Sequence, residues 1–122
     1  MWIMVAGPYT SGGADAATRA KRLAEMNRAA LALFRLGHVQ VIGVNMALPV
    51  IAAAEGDAFE EVMMPLSLAL AERCDAVLRI GGASAGADAE LARFAAAGKP
   101  VFHALAEVPP CHLPSPWWRM TG

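Results

Sequence analysis

"DAVLRIGGASAGADAELARFAAAGKPVFHAL", residues 75–105, decides the fold. Residues 75–80 are a short, mostly apolar run of strand formers, stopped by Gly81-Gly82. Ser84 then stands where a helix N-cap belongs, and Leu91, Phe94 and Ala95 follow as an inward face. Gly98 ends the helix, and Pro100 opens a second apolar run over 100–105. Two buried strands joined through one helix require a crossover connection. The two strands are therefore parallel, with the helix packed on one face of their sheet.

The same alternation runs back to the first residues. "WIMVAG" (2–7) reads as a fully buried strand. From about Asp15 a long helix carries Leu23, Met26, Ala30, Leu33 and Phe34 on one face, with Gly37 at its end. "HVQVIGV" (38–44) is the next strand. "NMALPVIAAAEG" (45–56) has no clean period and contains a proline, so it reads as a long loop or flap. Asp57 and Glu60 resemble a capping box, before a helix with Phe59, Val62, Met63, Leu66 and Leu70 on one side and a kink expected at Pro65. The expectation is one α/β domain over 1–122, a Rossmann/flavodoxin-like three-layer sandwich with a parallel sheet of four to five strands. Residues 106–122, rich in Pro and Trp, are expected as an extended tail.

Composition narrows the function classes. Of 122 residues, 57% are hydrophobic and 17% charged, an apolar excess that predicts a buried interface in a homodimer or higher homo-oligomer. The net charge is −1 and the only basic cluster is "RAKR" at 19–22, which argues against a nucleic-acid polymer as partner. No run approaches a membrane span, and the first residues lack the pattern of a secretory signal. Cys74 and Cys111 form neither metal spacing nor a disulfide framework. His38, His103 and His112 have no ligand partners nearby in sequence. A cytoplasmic protein with no metal and no cofactor is expected.

Ligands of parallel sheets bind at the carboxyl ends of the strands. Three segments fall there: 7–13, 44–57 and 81–88. "GPYTSGG" (7–13) offers backbone N–H groups and the hydroxyls of Thr10 and Ser11, with Gly12-Gly13 to turn the chain. It also fits an ordinary strand-to-helix turn. Tyr9, the sole tyrosine, suits either a site or half-buried packing. Glu90 lies four residues past Gly86, one turn up on the same helix face, toward whatever the turn holds. Its alternative role is a modest interaction with the helix dipole. Asp88 lies about 200° round the helix from Glu90, so it reads as a helix-start charge.

Taken together, "VAGPYT" (5–10), "AALALFRLGHVQV" (29–41) and the series Ser84, Gly86, Ala87, Glu90, "AAAGKPV" resemble the nucleoside 2-deoxyribosyltransferase-like superfamily, especially its small DUF4406-like branch. The resemblance reaches to about residue 105. It implies that Glu90 is a nucleophile attacking C1′ of a deoxyribose, with Tyr9 supporting the carboxylate. It also implies contacts to the sugar or its 5′-phosphate from Gly82, Ser84 and Gly86 and from the loop of Gly7, Pro8, Thr10, Ser11, Gly12 and Gly13. Many members of the small branch carry a tryptophan in a longer loop where this chain has Gly82. Several transferases carry an aspartate just after the third strand, where this chain reads Arg79-Ile80-Gly81-Gly82. Asn45 is the expected base or sugar contact, and Asp57 and Asp88 are the candidate acids.

The function so implied is cleavage or transfer at the N-glycosidic bond of a deoxynucleoside or its 5′-monophosphate. The alternatives are a non-catalytic nucleotide- or nucleoside-binding module of the same fold, and a partner-binding dimer whose functional surface is the Trp117-Trp118 tail.

Overall fold

The computed structural model describes residues 1–111. The expected tail falls mostly beyond that point, so Trp117, Trp118 and His112 lie outside the described residues. Strand β1 (Trp2–Ala6) leads to helix α1 (Ala16–Arg35), β2 (Val39–Val41), α2 (Gly43–Ala53), α3 (Phe59–Arg73), β3 (Ala76–Arg79), α4 (Ala85–Ala96) and β4 (Val101–Phe102). A 3-10 turn at Leu105–Glu107 follows. The four strands form one parallel sheet in the order β2-β1-β3-β4. The chain is therefore an α/β three-layer sandwich of the Rossmann/flavodoxin-like kind.

Alternation along the central strands builds the layers. Ile3, Val5, Ala76 and Leu78 face α1, where Met26, Ala30 and Leu33 meet them. Met4, Ala6 and Val77 face the other way, against Ala71 of α3 and Ala87 and Phe94 of α4. Both faces are covered, which is why the strands read as continuous apolar runs. The chain passes from β1 to β2 on one side and returns across β1 to β3 on the other. The strand order thus reverses between β1 and β3, and the crevice at their carboxyl ends is the place for a ligand.

Residues 45–56 are not a loop: helix α2 fills most of them and takes over Gly43 and Val44 from the expected strand. Pro49 removes one helical hydrogen bond on an exposed turn, where the loss is least costly. Packing fixes its position. A Cβ on Gly43 would collide with the Ser67 hydroxyl and lie 2.9 Å from its Cβ, so α2 crosses α3 at a contact that only glycine allows.

Smaller corrections have equally local causes. Asp57 does not form a capping box: its Oδ1 accepts from the Phe59 N–H at 3.0 Å, and the cap position belongs to Ala58, which has no side-chain acceptor. Phe34 and Ala95 point outward, because each falls one residue off the buried face set by Leu33 and Phe94. His38 is buried, its Nδ1 2.9 Å from the Met1 amine and its Nε2 2.7 Å from the Pro109 carbonyl. An ammonium only donates and a carbonyl only accepts, so the His38 ring staples two segments together. Part of the apolar excess lies on the surface. Trp2, Val39 and Met46 are exposed along the β2 edge, lining a groove with Asn27 and Asn45.

Candidate active site

A cavity of about 410 Å³ opens at the carboxyl ends of β1 and β3. Its lining brings together Gly7, Tyr9, Thr10 and Ser11 from the loop after β1 and Ser84, Gly86 and Glu90 from the start of α4. These are seven of the residues singled out in the sequence, drawn from two segments some 75 positions apart and joined by the pairing of β1 with β3.

The start of α4 is built for a polar ligand. Ser84 is its N-cap, with Oγ accepting from the Ala87 N–H at 3.1 Å. Ala85 and Gly86, the first two residues of the helix, line the cavity, and their N–H groups have no acceptor within the helix. The preceding turn is held by Arg79, which donates to the Ile80 carbonyl, to the Gly82 carbonyl at 2.8 Å and to the Asp88 carboxylate at 3.5 Å. Asp88 is thus paired on the outer side of the helix, as its angular position requires. Gly81 makes this turn with φ +76°, and a Cβ there would lie 2.7 Å from the Pro8 ring.

Glu90 lies deeper. Burial pushes its carboxyl up to about 7, and the charge of Arg79 pulls in the opposite direction without cancelling it. Desolvation thus outweighs the favourable charge beside it. Near neutral pH the group is divided between acid and carboxylate.

The opposite wall comes from residues that the sequence does not single out for a site. Phe59, Met63, Met64 and Ser67 of α3 and Val44 of α2 face the cavity, and Glu60 joins them. Phe59, Met63 and Ser67 recur every four residues.

Several expected contacts fall elsewhere. Asn45 points to the β2 edge, where its Nδ2 donates to Asn27 Oδ1 at 2.7 Å. It is on α2 and not in a loop, and the helical turn carries it away from the cavity. Pro8 and Gly82 line a separate hollow of about 230 Å³ on the α1 side, beside Lys21 and Arg22. Gly12 and Gly13 turn the loop in open space at positive φ and line neither hollow. Asp57 and Asp88 are both outside the cavity lining.

Residues 1–105 match a protein family described as a domain of unknown function (DUF1937), and the chain belongs to that family. No curated protein matches it. Among the described residues, no helix is long and apolar enough to cross a membrane.

Proposed function

We propose that the protein cleaves or exchanges the N-glycosidic bond of a deoxynucleoside, with Glu90 as the nucleophile. One observation carries this reading: a desolvated carboxyl at the bottom of a small-molecule cavity, one helical turn below unpaired first-turn amides. The amides and the Ser84 region suit the oxygen-rich 5′ side of a sugar. The carboxylate one turn deeper suits the electron-poor anomeric carbon. Partly desolvated, it stabilises an oxocarbenium-like centre more strongly than in water and can trap it covalently.

The described cavity lining holds no Lys, Arg or His. Arg22 at its edge is engaged by the Tyr9 and Ser11 carbonyls at 3.1 and 2.8 Å, and Arg79 by the 80–82 turn. This charge balance favours an uncharged deoxynucleoside over its monophosphate. The competing reading is a nucleoside-binding module without turnover, and it draws on the stretch Arg79-Ile80-Gly81-Gly82, which has no aspartate where several transferases of the resembled superfamily carry one just after the third strand. Incubation with a panel of deoxynucleosides and monophosphates, followed by chromatography of free base, separates the two. The proposal expects base release by the wild type and a loss of at least about 10³-fold in Glu90→Ala. Binding without release, or equal release by the variant, contradicts it.

A further inference from the structure

We infer that Glu60 is the general acid that protonates the departing base, a role that rests on the glycosidic reading above. Glu60 and Glu90 are the only carboxyl groups in the described cavity lining. They belong to two helices whose alignment is fixed at both ends. A Cβ on Gly86 would lie 3.4 Å from the Met64 sulfur, and Arg93 pairs with Glu72 at 3.3 Å. Eight residues along α3 thus match seven along α4, so the helices run parallel and nearly in register.

This alignment sets the levels of the two acids. Glu60 is four residues before Met64, and Glu90 is four residues after Gly86. At 1.5 Å per residue, each is about 6 Å from the Met64–Gly86 contact, in opposite directions along the helix pair. Glu90 therefore lies deep, near the level of buried Ser67, and Glu60 stands at the solvent-facing mouth with Phe59. A nucleoside with C1′ over Glu90 and its 5′ side toward the α4 amides directs its base outward, along Met63 and Met64 to Glu60. The proton acceptors of a base lie a ring's width from C1′, so the acid must stand apart from the nucleophile, as Glu60 does.

The steps balance with these two groups. A Glu90 oxygen bonds to C1′ as the C1′–N bond breaks. Its electron pair stays on the base, which takes the Glu60 proton on a ring nitrogen. Water then attacks C1′, the Glu90 carboxylate leaves, the proton of the attacking water passes to bulk water, and Glu60, exposed at the mouth, takes up a proton from solvent. Glu60 is exposed on the first turn of α3, so its replacement leaves the core untouched.

The test compares leaving groups in single turnover with enzyme in excess. The substrates are unmodified deoxyguanosine and its N7-methylated cation, whose base departs neutral without an added proton. Glu60→Gln should slow release of guanine by about 10²-fold or more and change release of N7-methylguanine by less than about threefold. Glu90→Gln should abolish both. Equal slowing of both substrates by Glu60→Gln, or slowing of neither, overturns the role of Glu60 and leaves that of Glu90 standing. Absence of release by the wild type from either substrate overturns the glycosidic reading, and this role with it.

Discussion

Glu90 joins two properties that usually oppose one another, an ionisable carboxyl and a desolvated position. Its carboxyl is held up to about 7 against an ordinary value of 4.5 because burial costs the charged form more than Arg79 returns. The linkage has a definite sign. A raised value means that the native state holds the proton more tightly than the unfolded chain. Its contribution to stability is full below about pH 4.5 and is lost as pH rises through about 7. Glu90→Gln removes the titration. Urea unfolding should show the stability of the variant relative to wild type growing by of order 2 kcal/mol between about pH 5 and pH 8. A difference independent of pH would mean that Glu90 is well solvated. Asp88, two residues earlier, shows how little separation in sequence matters: it faces the other side of α4 and pairs with Arg79 at 3.5 Å.

At the level of elements, the crossing of α2 over α3 shapes the cavity wall. Gly43→Ala should cost about 1–3 kcal/mol in chemical unfolding, because the Cβ meets Ser67 and neither helix can retreat from the sheet. The double variant Gly43→Ala/Ser67→Ala should recover part of that loss, and simple additivity of the two changes would deny the contact. This crossing was also the least legible part of the sequence. Residues 75–105 announce their strands and helix through Gly81, Ser84 and Gly98, which act locally. The helicity of α2 depends on packing against α3, and neither Pro49 nor the aperiodic alanines signal it. The half of the site after β1 and β3 was readable because turn and cap chemistry is written in adjacent residues. The half supplied by Val44, Glu60, Met63, Met64 and Ser67 was not, since an apolar stripe on α3 looks the same facing a core or a ligand.

Across the whole molecule, the parallel sheet serves mainly to hold three helix starts around one hollow. The order β2-β1-β3-β4 opens the crevice between the central strands. The loop after β1, the first turn of α4 and the first turns of α2 and α3 then converge on it. The cavity sets Glu90 at depth and Glu60 with Phe59 at its mouth, an arrangement that suits a neutral sugar with its base directed outward. Its central claim is a covalent bond from Glu90 to a sugar carbon. The direct measurement is mass spectrometry of the protein quenched during turnover of a deoxynucleoside, with the modified peptide mapped. A deoxyribosyl adduct on Glu90, absent in Glu90→Gln, is the predicted result. Base release that continues in that variant, or an adduct on any other residue, would contradict the account.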